Sequence, residues 1–410
     1  MKKGMVIKMQ KKSKEKKLRP KFSDKNRLIY FIPFLLFLSI LVLGAAEKAI
    51  PGEIYAAPSS SVAVSHQATG VSASISPENE YTAKLFGFIP AKNVESNIPG
   101  DLSLVPCGDV FGVKFFTKGV VITDISEVET ERGIISPAGK AGLKKGDVIL
   151  SLDGKEVNTS EDTTKAISSS GGKEIVAEFV RDGKNYKAKL LPVKASADNN
   201  YKAGMWVRDS TAGIGTITYY DPDDGSFAGL GHGIYDGETQ LLLPLLRGAV
   251  VDISLNDIIK GRDGHPGELK GEFGEEKVGS LFGNTACGVY GTLAKEPKTI
   301  SQKLPCALKG ELQKGKATIL SNVDGLGVKE YDIEIVKIYS GNEETKNFVI
   351  EVTDDELLEK TGGIVRGMSG SPILQNGRIV GAVTHVFVND PTRGYGIFIE
   401  NMLAEAEKSK

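Results

Sequence analysis

Ser369 sits in "GMSGSP", residues 367–372, and His232 in "GLGHGI", residues 229–234. A serine hydroxyl is a weak nucleophile until a neighbouring base takes its proton, and a neutral imidazole, with an unperturbed pKa of about 6.5, suits that task. Four histidines are available: His66, His232, His265 and His385. Only His232 is framed by glycines, which allow close backbone approach and do not speak for core packing. His66 reads as a solvated linker residue and His265, in "GRDGHPGE", as a loop residue. A lone Gly-His-Gly is weak evidence; its pairing with Ser369 is what points to nucleophilic catalysis. The histidines are too scattered for a metal site and no Cys-x-x-Cys pair exists, so no metal or organic cofactor is expected. Cys107, Cys287 and Cys306 allow at most one bridge.

The elements that must position these residues are read from the rest of the chain. At 410 residues it exceeds a single core, and two or more domains are expected. Its 48 glycines and single tryptophan lean toward turn-rich β structure. Residues 1–27 hold 12 of the 51 Lys and Arg, a concentration that would suit nucleic acid if it stood alone. An uncharged run of 19 residues follows at once, "LIYFIPFLLFLSILVLGAA", residues 28–46. As a helix it would reach about 28 Å, close to a hydrocarbon core. The basic flank then stays cytoplasmic and everything beyond residue 46 lies across the membrane. The small residues "GAA" also fit a cleaved signal peptide, but the run exceeds the usual ~7 to 15 apolar residues of one, so an anchor is expected, with later release open. Residues 47–80, rich in Ser and Ala, read as a flexible, accessible linker.

From residue 100 short strands alternate with glycines. In "SPAGKAGLKKGDVILSLDGKEV", residues 136–157, Ser136 and Pro137 suit a helix start and Asp153-Gly154 a hairpin turn. This stretch resembles the core of bacterial PDZ domains, and the resemblance covers residues 100–195. It implies that a peptide tail adds as a strand beside an x-Φ-G-Φ loop, here "VFGV": Val110, Phe111, Gly112 and Val113. The alternative is a PDZ fold that packs on its neighbour and takes no free tail.

Residues 200–410 carry strands every 10 to 20 residues with Gly, Asp and Asn turns, the pattern of a sandwich or barrel, and helices are expected only at 354–361 and at the C-terminus. "GMSGSPILQNGRIVGAVTHV" resembles the nucleophile segment of trypsin-like serine proteases, with Asn376-Gly377 as the hairpin turn. That resemblance implies a double β-barrel, an oxyanion hole from the Gly367 and Ser369 amides, and substrate pairing with Thr384, His385 and Val386. Ser371 replaces the usual second glycine, and His385 reads equally well as a half-exposed strand residue.

Anchor, linker, "KLFGFIPAK", PDZ, "GLGHGI" and "TGGIVRGMSGSPI" together resemble the stage IV sporulation protein B peptidases. The resemblance implies a mainly β protein with a membrane anchor, acting in the forespore intermembrane space as a serine endopeptidase. It would process itself, then cleave a membrane-bound regulatory subunit of an intramembrane protease complex, triggering pro-sigma-K processing. It also implies Asp354 as the third catalytic residue. A trypsin-like topology would instead place that acid upstream, at Asp252, Asp257 or Asp236, and Asp354 equally suits a helix N-cap. Rival readings are a non-catalytic PDZ signalling module and a stress-type quality-control protease.

Overall fold

The computed structural model describes residues 102–297, 302–339 and 343–410 in full, together with the course of three earlier strands. The basic segment, the apolar run 28–46 and residues 47–70 lie outside the described residues. Among the described residues no helix is long and apolar enough to cross a membrane. The three strands, β1 (Val71–Ile75), β2 (Glu80–Leu85) and β3 (Ile89–Glu95), form an antiparallel sheet in a separate small unit. The segment read as linker therefore contributes a strand, Val71–Ile75, to this sheet.

The larger unit contains Ile98–Lys410. It begins with β4 (Ser103–Pro106) and β5 (Val110–Ile125). A small hairpin, β6 (Val128–Thr130) and β7 (Gly133–Ile135), leads to helix α1 (Pro137–Lys140). Then come β8 (Val148–Leu152), β9 (Lys155–Glu156) and helix α2 (Ser160–Ser169). The hairpin β10 (Ile175–Arg181) and β11 (Lys184–Leu190) precedes the short pair β12 (Val193–Lys194) and β13 (Tyr201–Lys202). Thr159 starts α2 by accepting from Asp162 N at 3.0 Å. Asp153 and Gly154 take φ of 48° and 73°, the two positive values that a type I′ hairpin turn needs.

Next are β14 (Met205–Tyr220), β15 (Ser226–Gly229), β16 (Leu245–Ile259), β17 (Glu268–Thr285), β18 (Gly288–Leu293) and β19 (Leu304–Pro305). Five of these strands pair in a ring with β5, in the order β5, β16, β17, β18, β15, β14 and back to β5. Phe111, Phe227, Val250 and Leu281 fill this first barrel, and Phe111 meets Phe227 edge-on at 5.7 Å. A second closed barrel runs β20 (Gly315–Ser321), β21 (Lys329–Ile338), β22 (Phe348–Val352), β25 (Asp390–Phe398), β24 (Arg378–Phe387) and β23 (Pro372–Gln375). Helix α3 (Asp355–Thr361) leads into its nucleophile loop, and α4 (Ile399–Ser409) packs against strands of both barrels. Both α-helices expected in this region are present, with a 3-10 turn at Lys309–Glu311 besides.

Two expectations change here. The PDZ module and the first barrel do not meet at residue 195 or 200, because β5 belongs to both: its start lines the barrel while Val120 and Val121 pair with β8 of the PDZ sheet. Gly119, at φ 79°, carries the strand from one to the other, and a Cβ there would come 2.5 Å from Ile149 O. The PDZ module is thus inserted in the first barrel between β5 and β14. The second change concerns Val110, Phe111, Gly112 and Val113 as a peptide-binding loop. All four pair with β14, Gly112 and Val113 also pair with β16, and Phe111 and Val113 are buried in the barrel core. At Gly112 and Val113 both edges are hydrogen-bonded within the barrel, so no strand can add beside these two residues.

Candidate active site

The nucleophile loop joins α3 to β23. Gly362, left-handed at φ 73°, ends α3. Ile364 N then donates to Pro391 O at 2.7 Å, Arg366 N to Gly267 O at 2.9 Å and Gly370 N to Val383 O at 2.8 Å. The first barrel grips the loop from the other side: Thr216 N donates to Ser369 O at 2.9 Å. Thr216 Oγ1 and Thr218 Oγ1 donate to Gly367 O and Gly370 O, each at 2.8 Å. Met368 is buried and its amide turns inward to Val365 O at 3.1 Å. The amides on either side of it, Gly367 N and Ser369 N, have no acceptor among the described residues. Two unspent donors, the nucleophile's own amide and the one two residues before it, are what an oxyanion hole requires.

His232 follows β15 and lines, with Ser369, a cavity of about 450 Å³ that also takes in Gly367, Thr384, His385 and Val386. Its Nδ1 lies 2.9 Å from Gly233 O. A carbonyl can only accept, so the proton sits on Nδ1 and Nε2 carries the lone pair a general base needs. Burial lowers the His232 pKa, and the Gly233 carbonyl partly opposes the shift. The Ser369 hydroxyl donates to Thr384 O at 2.7 Å and not to His232.

His385 packs beside His232, ring centroids 5.0 Å apart. Burial, and then the neighbouring His232 and Lys346, push its pKa down to about 4, so it is neutral at pH 7. Because the neutral base is the working form, the acidic limb of kcat/KM is expected below pH 6.5, the ordinary histidine value. Stability follows the same sign: the unfolded chain binds protons that both native imidazoles refuse, so unfolding free energy falls as pH drops from about 6.5 toward about 4. A kcat/KM profile with urea titrations at pH 4.5 and 7 checks both; a limb above 6.5 would contradict the burial of His232.

The structure does not join Asp354 to His232. Its Oδ1 caps α3 by accepting from Leu357 N at 2.9 Å, and Oδ2 accepts from Asp332 N at 3.3 Å. The Nδ1 proton of His232 that Asp354 was expected to hold goes to Gly233 O. None of the alternatives replaces it. Asp236 is buried against Arg208 at 2.8 Å and accepts from Thr239 N at 2.7 Å; Asp257 accepts from its neighbour Ile258 N; and neither they nor Asp252 line the cavity. A cap role makes Asp354→Asn mild, since the one amide oxygen of Asn can still cap α3 and only the 3.3 Å bond from Asp332 N is given up, and it costs Asp354→Ala about 1 kcal/mol. Thermal melts and kcat of both variants decide: a thousandfold loss of kcat in Asp354→Asn at unchanged Tm would restore it as the catalytic acid. The Gly233 carbonyl and the threonines of β14 carry no local signal in sequence, and their roles appear only once the barrels close.

The family SpoIVB peptidase S55 matches residues 199–403, half of the chain, and a PDZ domain matches residues 108–191. The chain belongs to the SpoIVB peptidase S55 family. Outside the family match the likenesses are local. A protein of Mesorhizobium japonicum named as a zinc metalloprotease is 34% identical over 85 residues, 20% of this chain and 22% of that one. One of Bartonella henselae named as a DegP-like periplasmic serine endoprotease is 34% identical over 97 residues, 23% of this chain and 18% of that one. The chain thus spans about a fifth of the length of the curated relatives it matches. Among solved structures, the HtrA-type protease AlgW with tripeptide is 12% identical at a TM-score of 0.30, covering 48% of this chain and 57% of that one. The Rv3671c protease of M. tuberculosis is also 12% identical, at 0.27, covering 48% and 74%. The S55 assignment rests on the family match alone.

Proposed function

We propose that this S55 family member is a serine endopeptidase with Ser369 as nucleophile and His232 as general base. The observation that carries the reading is the meeting of Ser369, His232 and two unspent amides in one cavity at the junction of the barrels. In the reaction Oγ bonds to the substrate carbonyl carbon while its proton passes to His232 Nε2. The Gly367 and Ser369 amides hold the oxyanion. The C–N bond then breaks, the amine leaves with the proton from His232, and water repeats the sequence to release the acid and restore the serine. Thr384 O, now bonded to the serine hydroxyl, becomes free to accept a substrate backbone N–H once Oγ turns to His232.

Family membership and the basic, apolar N-terminal pattern support a finer reading: a membrane-anchored or self-released enzyme outside the cytoplasm, in the forespore intermembrane space. There it would process itself and then cleave a membrane-bound regulatory subunit of an intramembrane protease complex, releasing pro-sigma-K processing. The shared β5 favours a PDZ module that braces the first barrel. The test incubates purified chain, wild type and Ser369→Ala, with a fluorophosphonate and sequences any new N-termini. Labelling of Ser369 and self-cleavage confined to the wild type support the peptidase; self-cleavage in the variant would overturn it.

A further inference from the structure

Arg366 immediately precedes Gly367, one of the two amides assigned to the oxyanion, and is itself among the residues that line the cavity. Of the residues lining that cavity it is the one with a permanent charge; the walls around it are largely apolar, with Ile214, Ile234, Ile364, Val365 and Val386. Its backbone is fixed at both polar groups, N donating to Gly267 O at 2.9 Å and O accepting from Leu269 N at 2.8 Å. The guanidinium, by contrast, is exposed and has no hydrogen-bond or ion-pair partner among the described residues. Arg181, Arg208, Arg378 and Arg393, by contrast, each form an ion pair within the fold. Glu268, the bridge partner of Arg366 along the backbone, carries the adjacent carboxylate, but the two form no ion pair and Glu268 does not line the cavity.

Resting on the peptidase reading, we propose that Arg366 sets the substrate class: peptides that place an Asp or Glu within two residues of the scissile bond, next to an apolar residue that fills the cavity. A guanidinium with no internal partner is free to pair in bidentate fashion with a carboxylate, and its fixed backbone holds it beside the reacting carbonyl. The contact is solvent-exposed, so its effect is modest and screened by salt.

The test uses the full chain and quenched peptide pairs that differ by Glu against Gln at each position from two before to two after the scissile bond. At one position the Glu/Gln ratio of kcat/KM is expected to be about 3 to 10 at low salt, falling toward one in 0.5 M NaCl. Arg366→Gln brings the ratio to about one, Arg366→Glu inverts it in favour of Gln, and Glu268→Gln raises it. Fluorescence anisotropy of the same peptides on Ser369→Ala separates this proposal from the one beneath it. Glu-selective binding without any cleavage by the wild type would sink the peptidase reading and leave Arg366 standing. A ratio of one at every position, or one unchanged in Arg366→Glu, overturns the Arg366 proposal.

Discussion

Ser369→Ala is expected to lower peptide hydrolysis and self-cleavage by about 10⁴-fold or more, because removal of the nucleophile leaves only the oxyanion donors and substrate binding to act. The fold should barely register the change. Ser369 is half-buried, its side chain makes one hydrogen bond, to Thr384 O, and losing that bond costs about 1 kcal/mol. The loop is held by backbone and threonine contacts that alanine leaves intact. Rates from quenched peptides, with a urea titration of the same preparation, separate chemistry from folding. Activity within tenfold of wild type at unchanged stability would move the chemistry off Ser369.

Gly370→Ala should have the largest structural effect, about 3 to 4 kcal/mol or outright failure to fold. Gly370 is left-handed at φ 98°, and a Cβ there would press on Thr216 O and lie 2.5 Å from Leu230 N. Both are backbone atoms of the first barrel, tied to each other by the Leu230 N to Thr216 O bond, so neither can yield cheaply. Their displacement would also loosen the Thr216 and Thr218 grip that aims Ser369. Gly377→Ala is the control: it too has a positive φ, 73°, but a Cβ there meets nothing within 4 Å, leaving about 1 kcal/mol of backbone strain. Urea midpoints of the two variants measure the difference. Equal losses would mean that φ alone, and not the contact between barrels, requires glycine beside the nucleophile.

The sequence by itself determined what short-range chemistry dictates. The Asp153-Gly154 and Asn376-Gly377 turns and the helices at 355–361 and 399–409 are legible because each depends on a few adjacent residue types, whereas Ser369 and His232 are brought to one cavity only by the barrels. Asp354 shows where that legibility ends: its position fits an N-cap and a catalytic acid alike, and only the bonds it makes with Leu357 and Asp332 show which role its oxygens fill. "VFGV" fails for the complementary reason. Its motif matches a peptide-binding loop, but the partners that bury it, β14 and β16, arrive about a hundred residues later and leave no trace in the motif. The tertiary structure alone decided that β5 serves two modules, that the Gly233 carbonyl holds His232, and that the Gly367 and Ser369 amides stay unspent. Each of these is a competition for a backbone hydrogen bond, and its outcome is set only when strands distant in sequence close into barrels.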